Sequence, residues 1–344
     1  MHRPVVRLAP RRPAASLFLA LCAAFLALPA QADEMALAPD PGVLDHVSLA
    51  DEIIAKRPIA PEPAAYTQDR EIDQDILFPP TNPEDDDPDR KWARDYFAIA
   101  GGVLTSPRYN GADDNVILPG GYLRGRISGF SFSTRGTNFQ VDLIRQRRGQ
   151  RIDWKLGPVV NLRSDRTGRI GDPQVEALGE KKIAVELGLT GGVTYTGVFT
   201  SKYDQLGLRF IVLADISGRH SSWVASPTIE YSTPLSKRAY VGVSASVNIY
   251  GKGFGDYYFD VDPLGSAASG LPVYSAAGRK ATAGKYTIGI AGAYSLSGDL
   301  RKGFALLTGV QYGRIASRFA ASPIVSIAGD KDQWIAGAGV AYQF

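Results

Sequence analysis

A chain of 344 residues with 44% hydrophobic residues has room for a large core, and its formal charge of +3 hides a strong segregation. From Asp33 to Arg90 there are 16 acidic against 4 basic residues, whereas from Lys91 to Phe344 there are 30 basic against 19 acidic, an excess of eleven. A single cysteine and the lack of any 18-residue apolar run after position 32 exclude a disulfide framework and a membrane-crossing helix in that part.

The first 32 residues read as a secretory signal peptide. Arg3, Arg7, Arg11 and Arg12 form a positive start, Ala14 to Leu28 an apolar core, and Pro29-Ala30-Gln31-Ala32 the small-x-small pattern cut by signal peptidase. That core is too short for a membrane anchor, and polar sequence follows at once. Arg11-Arg12 is ordinary positive charge, since a twin-arginine route suits prefolded cargo. Leu21 before Cys22 argues against a lipoprotein, and cleavage after Ala32 leaves no cysteine in the mature chain.

Residues 33–92 form an acidic, Pro-rich arm ending in Pro83-Glu84-Asp85-Asp86-Asp87-Pro88-Asp89. Such sequence buries too little apolar surface to offset ordering and is expected to be a disordered periplasmic segment. Val43, Leu44, Val47, Ile53 and Ile54 have helical spacing and read as a transient helix, with docking of a periplasmic partner as the sharper alternative. Asp85-Asp86-Asp87 lacks the glycine and spaced ligands of a calcium loop and reads as a solvated charge run.

From residue 93 to the end the sequence alternates with a period of two. Val241, Val243, Ala245, Val247 and Ile249 are interleaved with Gly242, Ser244, Ser246, Asn248 and Tyr250, so a strand here has one apolar and one polar or small face. The same holds for Ile152–Arg163, Ile183–Thr190 and Leu208–Ile216. A soluble sandwich also alternates. However, these segments run about ten residues, the length a tilted strand needs to cross hydrocarbon. Aromatic residues also mark strand ends as an interfacial girdle would: Tyr96, Phe97, Trp223, Tyr231, Tyr240, Tyr286, Tyr294, Tyr312, Trp334 and Tyr342.

The pattern predicts an all-β fold, a transmembrane antiparallel up-and-down β-barrel over 93–344. Twelve strands are expected near 95–104, 114–126, 129–133, 137–144, 151–163, 182–196, 206–217, 222–233, 238–250, 285–296, 300–312 and 333–344, or ten if 114–133 is one kinked unit. Counted from a periplasmic N-terminus, the longest connections, 251–284 and 313–332, fall on the outer side, as such barrels require. Asp142, Asp153, Lys155, Glu186, Arg209, Asp215 and Glu230 fall on inward faces. Both signs together predict a cross-linked or narrowly wetted lumen rather than a wide selective pore. Trp334, Ala336, Ala338, Val340, Tyr342 and Phe344 share one face of the closing strand. A terminal aromatic at Phe344 resembles the signal read by the barrel-assembly machinery.

Taken together, these residues resemble the MipA/OmpV family of outer-membrane proteins. The similar stretches are Tyr109-Asn110-Gly111-Ala112-Asp113, Gly125-Arg126, Gly157-Pro158, Tyr257-Tyr258-Phe259, Ala268–Tyr274, Ser322-Pro323-Ile324-Val325, Asp332-Gln333 and Tyr342-Gln343-Phe344. The resemblance implies a non-enzymatic protein of the cell outer membrane in a Gram-negative envelope. Its name-giving member is similar to a scaffold that holds a murein lytic transglycosylase and a murein synthase together. The acidic arm is longer than that family leads one to expect.

No catalytic, cofactor-binding or metal-binding residue is assigned. His220 and Ser222 have the i, i+2 spacing of a barrel hydrolase pair on one strand face, but geometry rather than spacing identifies a nucleophile, and a polar outer turn is the plain reading. Asp142 and Asp153 read as structural inward charges. No phosphate loop, zinc spacing or redox motif is present, no cofactor is expected, and the basic body carries no nucleic-acid motif. Its outward Lys and Arg suit lipopolysaccharide phosphates. The readings carried forward are an envelope scaffold, a passive channel or small-solute uptake barrel, and a lipid hydrolase hinging on His220/Ser222.

Overall fold

The computed structural model describes residues 95–344 apart from 148, 169 and 277–279. The expected signal peptide (1–32) and acidic arm (33–92), with its short helix and Asp85-Asp86-Asp87, lie outside the described residues.

Twelve antiparallel strands close into one barrel in chain order, β12 pairing back onto β1. They are β1 (Tyr96–Pro107), β2 (Asn115–Ile127), β3 (Phe130–Arg135), β4 (Asn138–Asp142), β5 (Ile152–Arg163), β6 (Ala184–Thr196), β7 (Gln205–Asp215), β8 (Trp223–Pro234), β9 (Ala239–Tyr250), β10 (Thr282–Ser295), β11 (Gly303–Ile315) and β12 (Asp332–Gln343). Twelve, not ten, is therefore the count, because Ser128 and Gly129 turn the chain with positive φ between β2 and β3. β10 and β11 lie a few residues from their expected bounds. Gly313 and Arg314 interrupt the apolar alternation yet remain in the ladder, and Leu300 is apolar but sits, fully buried, in the β10–β11 turn.

Alternation sorts the two faces. Leu189, Leu208 and Ile288 point outward and are more than half exposed, as a lipid-facing surface must be, while Thr190, Ser244 and Thr287 beside them are buried inside. Tyr286, Tyr294 and Trp334 stand outward near strand ends. Tyr96 and Tyr240 do not belong to the girdle. Their strand parity turns them inward, where Tyr240 packs with Tyr122, Ala293 and Leu307, and Tyr96 lies under Arg126. On the β10–β12–β1 side of the interior an apolar cluster forms, with Ala98, Ala291, Ala305, Leu307 and Ile335 among its members.

The wall is uneven. β2 pairs with β1 along its length but with β3 only over Arg124–Ile127. Thr134 Oγ1 takes the Leu123 N–H at 3.0 Å, so odd positions of β2 aim their N–H toward β3. Pro119, which has no N–H, falls at a position where none would be met, the usual place for proline in a sheet. Further on, β4 meets β5 over only three residue pairs. Beyond them the Asp142 carboxylate substitutes for the ladder, accepting from Leu156 N at 3.1 Å and Ile144 N at 3.0 Å. Gly157 permits this approach, because a Cβ there would lie 1.7 Å from the Val141 carbonyl oxygen.

Candidate functional site: a capped lumen

The outer connections fold inward rather than away. The β5–β6 loop carries α1 (Pro173–Ala177), the β9–β10 loop carries α2 (Lys252–Tyr258) and α3 (Pro263–Ser269), and the β11–β12 loop carries α4 (Ser317–Ala320) and α5 (Pro323–Ser326). Pro at the first turn and an Asp cap start α1 and α3, with Asp172 accepting from Val175 N and Asp262 from Gly265 N. Phe254, Tyr258, Phe259, Phe319 and Val325 pack onto Val224, Tyr250 and Ile315 at the outer ends of the strands. A second cluster joins Tyr109, Val175, Val261, Leu271 and Ile324. Hydrogen bonds stitch the loops: Tyr109 Oη donates to Ala328 O (2.9 Å), Gln333 Nε2 to Ala112 O (3.0 Å) and Ser322 Oγ to Phe259 O (2.6 Å).

Beneath this cap lies a buried polar latch. Glu186 Oε1 accepts from Arg163 Nε at 2.7 Å and meets His220 Nε2 at 2.8 Å, while Oε2 accepts from Asn161 Nδ2 at 2.7 Å. Arg163 and Glu186 side chains are 1% and 0% exposed, so each charge depends on the other. The Arg163 guanidinium also lies over the Phe254 ring at 4.9 Å, and His220 meets the same ring edge-on at 5.5 Å. The latch therefore ties α2 to the barrel wall. Asp215 shapes the turn that delivers His220, accepting from His220 N (2.7 Å) and Ser217 N (2.8 Å).

In the cap, Arg166 is buried and donates to Tyr258 O and Gly179 O; burial holds its guanidinium below the ordinary value. Burial, and then the neighbouring Arg166, push the Lys181 amine down to about 8.

Toward the other end the lumen holds a second charged zone. Arg209 Nε donates to Glu230 at 2.8 Å, and Gln146 bridges Arg126 and Asp153. A cavity of about 70 Å³ remains there, lined by Arg124, Lys155, Arg209, Glu230, Ser232 and Thr194 among others. Of the inward charges read from the sequence, Asp142, Asp153, Lys155, Glu186, Arg209 and Glu230 reach the interior, while the Asp215 carboxylate is held by the outer turn before β8. Arg124, Arg126, Arg163 and Lys285 were overlooked, although their parity along β2, β5 and β10 already marked them as inward.

His220 and Ser222 are not a strand pair. Both precede β8 in a turn where Ser221 has φ +46°, which directs His220 inward to Glu186. Ser222 stays beside Gly251, and no hydrogen bond joins it to His220. Among the described residues no group of three or more His, Cys, Asp or Glu side chains could hold a metal ion.

A closed barrel with apolar exterior, charged interior, short turns at one end and folded loops at the other is a transmembrane β-barrel of the outer-membrane kind. The family model described as MltA-interacting protein MipA matches residues 99–344. The chain belongs to the MipA family and is a protein of the cell outer membrane. No curated relative matches it. Among solved structures, an outer-membrane channel from Pseudomonas putida F1 is 12% identical, with a TM-score of 0.37, covering 76% of this chain and 100% of that one. The Pseudomonas putida toluene transporter TodX is 12% identical, with a TM-score of 0.34, covering 75% and 90%.

Proposed function

We propose that this protein is a non-enzymatic outer-membrane anchor whose periplasmic side assembles murein-processing enzymes, a lytic transglycosylase together with a murein synthase. The observation that supports it most is the folding of the outer loops into a packed cap held on Arg163–Glu186, which suits a fixed platform better than an open pore. The family description, MltA-interacting protein, points the same way. In this reading residues 1–32 are removed on export, residues 33–92 stay in the periplasm, and outer-leaflet lipopolysaccharide surrounds the barrel. The assembly machinery engages β12 through Phe344, whose ring lies 4.8 Å from that of Tyr342.

Affinity capture of the mature protein from cross-linked envelopes tests the reading. Recovery of both murein enzyme types is expected, and their repeated absence from the captured material would refute it.

A second reading, passage of small solutes, is favoured by the polar cavity around Lys155. Planar-bilayer recordings separate the two: steady conductance supports passage, and electrical silence supports the anchor.

A further inference from the structure

The charge of the barrel is concentrated at one end. The outer loops 108–114, 164–183, 216–222, 251–281 and 316–331 hold eleven basic and ten acidic residues, close to balance. The opposite turns, 128–129, 143–151, 197–204, 235–238 and 296–302, hold nine basic and two acidic residues. Both acidic groups are engaged locally: Asp204 accepts from the N–H of Val198, Phe199 and Thr200, and Asp299 pairs with Arg301. Arg145, Arg147 and Arg151 are exposed on the first long turn of this rim. Lys202, Lys237, Arg238, Arg301 and Lys302 are exposed on the others. The rim is thus a ring of cations on the periplasmic side.

β1 begins on this same rim, where Asp95 accepts from Ser128 N at 2.8 Å. The segment that leads into β1 is the acidic one, 16 carboxylates against 4 cations over Asp33–Arg90. Twelve strands about 4.8 Å apart and tilted about 40° make a rim roughly 24 Å across. A random coil of that many residues has an r.m.s. reach on the order of 40 Å, and tethering gives an effective concentration of about millimolar at the rim.

We propose that residues 33–90 dock on the cationic periplasmic rim of their own barrel. The occupant is then an intramolecular polyanion, and the rim becomes a site for which any acidic partner must compete with the arm. Attraction of this kind acts over a screening length of about 10 Å at 0.1 M salt and about 3 Å at 1 M, so the contact is salt-labile by nature.

The test uses the full mature chain in uncharged detergent, with carbodiimide coupling of carboxylates to amines at 0.05 M and at 1 M NaCl. Cross-links from residues 33–90 to Lys202, Lys237 and Lys302 are expected, roughly five-fold fewer in high salt. A mixture of isotope-labelled and unlabelled chains should show these links within single chains. A spin label at Asp87→Cys should gain mobility when Arg145, Arg147, Arg238 and Arg301 are all changed to Gln. The proposal is overturned if no such links form, if they join different chains, or if the label ignores both salt and the rim variant. It also falls if vesicles containing phosphatidylglycerol abolish the links, because the rim would then belong to lipid phosphates.

Discussion

Replacing Glu186 by Gln keeps the shape of the latch and removes its charge. Arg163 would remain buried without the Glu186 charge, and breaking a buried pair by removing one partner costs about 3–5 kcal/mol. The Gln amide oxygen still accepts one bond, worth about 1 kcal/mol, so about 2–4 kcal/mol should be lost. If that energy holds α2 against the wall, the opening equilibrium of the cap shifts roughly 30- to 700-fold. Hydrogen exchange of the Lys252–Tyr258 amides reads the shift locally, and urea unfolding followed by tryptophan fluorescence reads it globally. Arg163→Met alone should cost a similar amount, and the double variant less than the two singles combined, with coupling of at least about 1 kcal/mol. Unchanged protection of α2 in Glu186→Gln, or strict additivity of the two singles, would refute the claim that this pair locks the cap.

Gly157→Ala should cost more than the about 1–3 kcal/mol of ordinary overpacking, because the new carbon meets the Val141 backbone rather than a movable side chain. Gly101→Ala, where nothing lies within 4 Å, should be near neutral, and heat-dependent gel mobility of the two variants compares them. Lys181, lowered from 10.5 to about 8, binds fewer protons folded than unfolded between those values, so cap stability should rise as pH climbs through that window. Protease resistance of the β5–β6 loop at pH 7.5 and 9.5 checks the sign. Burial alone would raise the Asp204 carboxyl, but the N–H groups of Thr200, Phe199 and Val198 outweigh it and hold it below its ordinary value. Its stabilising contribution is therefore present above the usual carboxylate range and lost as pH falls through the lowered value. Asp204→Asn should destabilise the β6–β7 turn by about 1.5–3 kcal/mol at neutral pH, measured by urea unfolding.

The barrel was legible because a half-buried strand has a period of two, and that period survives wherever lipid lies on one side and a packed interior on the other. The expected positions failed where a residue satisfied the period for another reason. Tyr240 and Tyr96 are aromatics near strand ends, as girdle residues are, but parity alone decides which way they face. Leu300 is apolar because it plugs the interior from a turn, not because it extends β11. The latch was half visible: Glu186 was marked as inward, while His220 sits in a turn whose positive φ at Ser221 no periodicity reveals. Nor does any local signal announce that Arg163 and Glu186 are neighbours; that follows from the β5–β6 register, where Asn161 is opposite Glu186.

Several of the stretches that carry the family resemblance gather in the outer cap. Tyr109 and Ala112 pack with Ile324, and Tyr258 and Phe259 pack with Val325, all inside the outer cap. Gln333, from another of those stretches, donates to Ala112 O and accepts from Gly111 N at 3.1 Å. Gly157 allows β5 to approach the end of β4, and Arg126 reaches Gln146 in the lumen. Each of these roles closes or fills the barrel. A wall crossing hydrocarbon must satisfy its own backbone groups, and in the proposed reading a barrel whose outer loops pack over its mouth meets soluble partners at its periplasmic turns. In that reading the cationic rim and the acidic segment that leads into β1 belong to the same end.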